Sequence, residues 1–278
     1  MKAIFDKVSN NCSEITTKAY STSFSLGIKV LDKSLHNPIY GIYGFVRFAD
    51  EIVDSFHNYN KKELFKKYKD DTYLGIKNKI SLNPIINSFQ EVVNKFKIDH
   101  SLIESFLNSM EMDLEDQNYD ENTYKKYILG SAEVVGLMCL TIFVNGDQNK
   151  YKKLKPYAMK LGSAFQKINF LRDVNDDYKT LGRTYFPEVN IENFSKSDKL
   201  KIENEIENEF IEGLKGIRML PNSAKGGVYL AYKYYYNLLK KIKKIPAQQI
   251  LAKRTRISNF RKFTILVSSM IKFHSKQL

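Results

Sequence analysis

Residues 39–54 read Ile39-Tyr40-Gly41-Ile42-Tyr43-Gly44-Phe45-Val46-Arg47-Phe48-Ala49-Asp50-Glu51-Ile52-Val53-Asp54. At about 100° per residue, Tyr43, Arg47, Asp50 and Asp54 fall on one helical face. Almost every other position is apolar or small, and a helix apolar nearly all round is a buried one. The stretch therefore predicts Asp50 and Asp54 facing an interior cavity. An ionised carboxylate there is costly unless paired or bound to metal.

A second stretch repeats the design. In Gln166-Lys167-Ile168-Asn169-Phe170-Leu171-Arg172-Asp173-Val174-Asn175-Asp176-Asp177, the residues Gln166, Asn169, Asp173 and Asp177 form one stripe, and apolar residues cover the rest. Each segment sets carboxylates four residues apart, with side chains about 5–6 Å from each other. Two such stripes facing one another would make an oxygen-rich cleft suited to Mg²⁺, which shares its shell with substrate phosphates. The chemistry implied is ionisation of a diphosphate ester, with Arg47 and Arg172 adding positive charge. A lone acidic pair at this spacing usually marks a solvated face, and the pattern alone leaves both readings open.

Outward from these stripes the chain reads as helices with short breaks. Pro38 suits the first turn of a helix running to about Phe56, and residues 58–62 are a polar break. Pro84 opens a helix reaching about Phe96. Ser101 is read as the N-cap of a third helix, and Asn122 or Thr123 as that of a fourth continuing to Phe143. A turn at Asn145-Gly146-Asp147 precedes a long helix to about Tyr178, with a bend expected at Pro156. Residues 181–198 read as irregular. Helices fit 199–217 and 224–245, separated by Pro221-Asn222-Ser223. No strand series, repeat or composition shift is visible, so the expectation is a single all-α domain over 1–278.

The chain has 278 residues, 43% hydrophobic and 27% charged, which excludes a disordered protein. Cys12 and Cys139 form no CxxC pair and read as reduced thiols. The N-terminus turns polar within a few residues, and the apolar run 134–144 is shorter than a membrane span. The expected location is the cytoplasm, with a peripheral position at the inner face of the membrane as the alternative. The formal net charge is +13, with basic residues dense at Lys240, Lys241, Lys243, Lys244, Lys253, Arg254, Arg256, Arg261 and Lys262. No nucleic-acid module accompanies them, so nucleic acid is not expected as a partner, and the charge reads either as a solvated basic surface or as a site of peripheral contact with anionic lipid. His36, His57, His100 and His274 show no ligand spacing. Lys160 and Lys167 are read as solvated.

At its two acidic stripes the sequence resembles the squalene/phytoene synthase family, whose paired DxxxD motifs stand here as Asp50-Glu51-Ile52-Val53-Asp54 and Asp173-Val174-Asn175-Asp176-Asp177. Tyr20-Ser21-Thr22-Ser23-Phe24 is similar to the family's early diphosphate-binding segment. Gly182-Arg183-Thr184-Tyr185-Phe186-Pro187 is similar to the loop after its second motif. The resemblance is strong from about Tyr20 to Pro187 and implies a class I isoprenoid synthase bundle around a central cavity. It assigns Asp50, Asp54, Asn169, Asp173 and Asp177 to Mg²⁺, or Mn²⁺ in its place. Ser21, Ser23, Arg47, Gln166, Asn169, Arg172 and Arg183 are assigned to diphosphate, and Tyr43, Tyr127, Tyr185 and Tyr235 to the reaction cavity. Glu133 departs from the pattern, standing where the family usually has a small residue beside the prenyl tunnel.

The implied reaction joins two isoprenoid diphosphates head to head through a cyclopropylcarbinyl diphosphate. Within the family, Ala49-Asp50-Glu51-Ile52-Val53-Asp54 combined with the loop at Gly182–Pro187, and the lack of an anchor-like C-terminal segment, resemble phytoene synthases acting on geranylgeranyl diphosphate. Farnesyl diphosphate, giving squalene or dehydrosqualene, is the alternative. NADPH is disfavoured, since no GxGxxG occurs. Terpene cyclases and chain-elongating prenyltransferases usually carry DDxxD, which neither motif has. A non-catalytic scaffold with the same fold would tend to lose the aspartates, and all four are present.

Overall fold

The computed structural model describes residues 1–115, 119–181, 185–187, 189, 194–250 and 255–275, with the backbone alone at 175–181, 259 and 274. Among the described residues there is no β-strand. The helices are α1 (Lys2–Tyr20), α2 (Thr22–Val30), α3 (Lys33–Ser55), α4 (Lys61–Asn78), α5 (Pro84–Phe96), α6 (His100–Met112) and α7 (Glu121–Ile128). A π-helical turn (Leu129–Glu133) joins α7 to α8 (Val134–Phe143). Then follow α9 (Gln148–Leu181), α10 (Lys196–Met219), α11 (Asn222–Ile242), α12 (Ala247–Ile250) and α13 (Asn259–His274). The all-α expectation holds.

Helix α3 runs through the middle of one half of the bundle, in contact with α1, α2, α4, α5, α6 and α8. Its Phe45 is fully buried, stacks on Phe89 at 3.7 Å between ring centroids, and meets Phe106 at 5.4 Å. Truncating such a residue to alanine costs about 3–5 kcal/mol. Gly44 lets α1 cross closely, because a Cβ there would come within 2.9 Å of Ser13 Oγ. The other half is built on α9, packed against α10 and α8 and carrying Ala164, Ile168 and Leu171 into a second core with Phe210 of α10 and Leu239 of α11.

Three helix starts differ from those expected because an aspartate caps the chain earlier. Asp32 accepts from Ser34 N at 2.9 Å, so α3 begins at Lys33 and Pro38 lies inside it. Asp99, not Ser101, caps α6, and Asp120, not Asn122 or Thr123, caps α7. The region read as irregular up to Asp198 ends sooner, since Ser195 and Asp198 form a capping box that starts α10. From Glu121 to Phe143 the chain is long and apolar enough to cross a membrane. Here it packs against α3, α6 and α9 as a core helix.

Candidate active site

An elongated cavity of about 500 Å³ lies between the two halves. The clearest view of its construction is along α9. Leu154, Tyr157, Ala158, Leu161, Gly162, Phe165, Gln166, Asn169 and Arg172 all line it, at the three-and-four spacing of one helix face. The face is apolar up to Phe165 and polar from Gln166 onward. Leu154 and Arg172 are 18 positions apart in α9, about 27 Å of helix. One helix thus supplies both a greasy wall and a polar head.

Opposite that head, α2 and α3 contribute Ser21, Tyr43, Arg47 and Asp50. Ser21 is the N-cap of α2, its hydroxyl accepting from Phe24 N at 3.2 Å, so it stands at the positive end of that helix. Arg47 forms ion pairs with Asp50 and Glu51 and lies 4.3 Å over the ring of Tyr20. Arg172 grips Asp173 with two hydrogen bonds of 2.8 and 2.5 Å. The Asp50 carboxyl is held above the usual range, first by burial and then by the neighbouring Asp54 charge, against the pull of Arg47. Burial pushes the Tyr43 phenol up to about 12, so it stays neutral and presents its ring.

The aromatic residues form two groups. Phe24 contacts Tyr43 at 5.5 Å and Tyr235 at 5.8 Å, and Phe165 stacks on Tyr235 at 4.2 Å. All four line the cavity. The second group is anchored by Phe170, whose ring stacks on Tyr185 at 4.0 Å and meets Tyr127 at 5.9 Å. Of this group only Tyr127 reaches the cavity wall. Its hydroxyl donates to the buried Asp113 at 2.7 Å, so its phenol is engaged there rather than free.

Of the residues singled out from sequence, Ser21, Tyr43, Arg47, Asp50, Tyr127, Gln166, Asn169, Arg172 and Tyr235 meet on one cavity. Ser23, Asp54, Asp173 and Tyr185 are not on its wall. Asp54 lies behind Asp50, close enough for its charge to act on Asp50 and Tyr127. The side chain of Asp177 and all of Arg183 lie outside the described residues. Lys167 corrects its sequence reading. It is buried and paired with Glu205 at 2.5 Å and Glu209 at 2.9 Å, because α10 packs its acidic face onto α9.

Three contributors were not assigned a role from sequence. They are the Tyr20 ring under Arg47, Glu51 as its second partner, and Asp113 behind Tyr127. Tyr20 and Glu51 stood inside quoted motifs, but Asp113 carried no local signal. Glu133 is not on the cavity wall, and its carboxyl lies within reach of the charges of Glu209, Lys160 and Lys167. Its neighbours Ser131, Ala132, Val135 and Gly136 form the wall instead.

The polar head was tested for its fit to a divalent cation. Its ligands are oxygens, and Oδ1 of Asn169 is buried with no hydrogen-bond donor, as an amide reserved for a cation would be. Among the described residues no three His, Cys, Asp or Glu side chains gather tightly enough to enclose an ion. The donors therefore suit a cation that completes its shell with substrate phosphate oxygens.

Residues 17–261 match the squalene/phytoene synthase family. The chain belongs to that family. Members of the squalene/phytoene synthase family are head-to-head prenyltransferases. The 4,4'-diapophytoene synthase of Staphylococcus haemolyticus is 25% identical over 201 residues, 70% of this chain and 67% of that one. Phytoene synthase 1 of Zea mays is 27% identical over 242 residues, 82% of this chain and 56% of that one. The chain thus spans about two thirds or less of these relatives. Among solved structures, a dehydrosqualene synthase crystallised with a ligand superposes with a TM-score of 0.83 at 21% identity, covering 97% of this chain and 98% of that one. That likeness establishes the isoprenoid synthase fold.

Proposed function

We propose that the protein joins two isoprenoid diphosphates head to head, releasing diphosphate, in the manner of a phytoene synthase acting on geranylgeranyl diphosphate. The observation that carries this reading is the single α9 face that changes from apolar to polar along one elongated cavity. Such a surface fits a molecule with a long hydrocarbon tail and an anionic head. It has no obvious use for a compact polar substrate.

Each residue then has a task its position supports. Arg47 and Arg172 hold the departing diphosphate with guanidinium hydrogen bonds, and the Ser21 hydroxyl binds it at the head of α2. Asp50 and Asn169 on the cavity wall, with Asp54 and Asp173 off it and Asp177 as the fifth expected ligand, would hold Mg²⁺. When bound, that ion neutralises charge on the leaving diphosphate. The rings of Tyr43 and Tyr235, with Phe24 and Phe165 packed on them, offer π-faces to the allylic cation, worth roughly 0.5–2 kcal/mol each. The apolar wall from Phe165 down to Leu154 keeps water from that cation. The second substrate's double bond attacks it, and the resulting tertiary cation loses a proton as it closes to a cyclopropylcarbinyl diphosphate; that intermediate releases its own diphosphate, rearranges and loses a second proton to give the hydrocarbon. No nucleophilic Ser or Cys is needed, since the work is positioning and charge stabilisation.

A second reading, with farnesyl diphosphate as substrate and dehydrosqualene as product, is favoured by the dehydrosqualene synthase neighbour that covers nearly the whole chain. Incubation with radiolabelled geranylgeranyl or farnesyl diphosphate, with Mg²⁺, with and without NADPH, tests both. Labelled phytoene supports the first reading and dehydrosqualene the second. No hydrocarbon from either substrate defeats both.

A further inference from the structure

Charge is distributed along this chain with a sharp boundary. None of the 31 Asp and Glu residues lies beyond Glu212, whereas 15 of the 44 Lys and Arg residues do. The first 212 residues hold the other 29 basic side chains against all 31 acidic ones. The whole excess of positive charge therefore belongs to the last 66 residues.

Helix α13 lies in that segment and has two unlike sides. On one, Ile265 is buried against Leu230 and Tyr234 of α11, and the Tyr234 hydroxyl donates to the Lys262 carbonyl at 3.1 Å. On the other stand Phe260, Phe263, Val267 and Ile271, respectively 79, 62, 41 and 63% exposed. Helical geometry puts these four within one arc of roughly 80°. Exposed Arg261 and Lys272 lie on the flank between this arc and the side packed on α11. They act, with Lys240 of α11, on the Lys233 ammonium, which burial first and then these cations hold below its ordinary value. Lys240, Lys241 and Lys244 at the end of α11 are exposed as well.

We propose that this face of α13 docks on an anionic lipid bilayer, with Phe260, Phe263, Val267 and Ile271 entering the headgroup–acyl boundary and the surrounding Lys and Arg side chains meeting lipid phosphates. An apolar stripe bordered by cations, with low overall hydrophobicity, is the pattern of a helix that lies in a membrane interface. The cations spread over α11 as well as α13, with no acidic side chain in the segment to orient a partner. Such a field complements an extended, uniformly negative surface better than a protein patch of mixed sign. The opposite side of α11, through Val228, Ala231 and Tyr235, lines the cavity. Docking would leave α13 and α11 between the lipid and the cavity. The inference rests on the surface alone and stands whichever reaction the cavity performs.

Vesicle sedimentation at low salt, with phosphatidylcholine alone and with phosphatidylcholine containing phosphatidylglycerol, tests it. The expected result is at least tenfold stronger binding to the anionic vesicles. The triple change F260S/F263S/I271S should lose at least tenfold of that binding. R261Q/K272Q should lose about fivefold per charge, and less at high salt. Circular dichroism checks that the variants are folded. The chain contains no Trp, so F263W supplies a unique reporter without removing the apolar group, and its emission should shift to the blue with anionic vesicles. Equal binding to both vesicles, full binding by the triple serine variant, or unshifted F263W emission each overturns the proposal. So does a dimer in sedimentation velocity that the triple variant dissociates while neither protein binds vesicles.

Discussion

The Arg47 guanidinium lies 4.3 Å above the ring of Tyr20, tying the last residue of α1 to the acidic turn of α3. The same guanidinium pairs with Asp50 and Glu51, so stacking below and a fork in front fix its orientation. Lysine would keep the charge and lose both features. Arg47→Lys is expected to lower kcat/KM about 100-fold, the size of effect seen when one oriented donor is removed from a charge-stabilising site, with an unchanged far-UV spectrum. Wild-type kcat/KM in that variant would show that Arg47 does not bind the leaving group.

Asp54→Ala and Asp173→Ala should each reduce hydrocarbon formation to background while leaving helix content intact. Asp54 is behind the cavity wall rather than on it, so its effect would act through Asp50, whose carboxyl feels the Asp54 charge directly. Chelation with EDTA should stop turnover and added Mg²⁺ restore it. Retained activity in either mutant would place the reaction elsewhere.

Much of the site was legible because its polar residues interrupt apolar helices, where a charge is conspicuous. Asp50 and Asn169 stand out against Phe45, Ala49, Ile168 and Leu171, and the cavity gathers Asp50 and Asn169 with Arg47 and Arg172. The pattern inverts in α1, which buries Ser9, Ser13 and Thr17 and exposes Ile4, Val8 and Ile15. Gly44 and those small polar residues let two backbones approach, and this contact has no apolar period to read. Lys167 misled for a related reason. Its partners Glu205 and Glu209 are on a helix about forty residues later, so no local pairing rule could find them. The split of the tyrosines into two aromatic groups likewise depends on which helices cross, a non-local fact.

Glu133 gives a test of stability against pH. Its carboxyl is raised above its ordinary 4.5, first by burial and then by Glu209, with Lys160 and Lys167 opposing. The folded chain therefore binds this proton more tightly than the unfolded chain. Stability falls as pH rises from about 4.5 through the raised folded value. Glu133→Gln removes that loss. The variant should melt about 1–3 °C higher than the parent near neutral pH, and the gap should close toward pH 4. A lower melting temperature at neutral pH would mean that the carboxylate is stabilised by Lys160 and Lys167 more than it is penalised by burial.

The π-helical turn that ends at Glu133 packs closely on α6 at Gly130. A Cβ there would come within 2.6 Å of both the Ser105 carbonyl oxygen and Ser109 Cβ on α6. Backbone on one side cannot yield cheaply. Gly130→Ala should therefore cost about 1–3 kcal/mol, read as a lower urea midpoint at unchanged m-value. An unchanged midpoint would show that α6 and the π turn can part without penalty.

The α9 face also predicts how chain length is measured. Ala158 lies 14 positions before Arg172 on the same helix, about 21 Å from the polar head. Its small side chain leaves room where a long tail would pass on toward Leu154. Ala158→Phe puts a ring across that path and leaves the head untouched. If the tail lies along this face, the twenty-carbon substrate should lose more than the fifteen-carbon one. The ratio of their kcat/KM values should shift by about tenfold or more toward farnesyl diphosphate. Competition between the two diphosphates, with products separated by chromatography, measures that ratio directly. A loss equal for both would mean that the tail leaves the cavity before reaching Ala158, and that some other element sets its length.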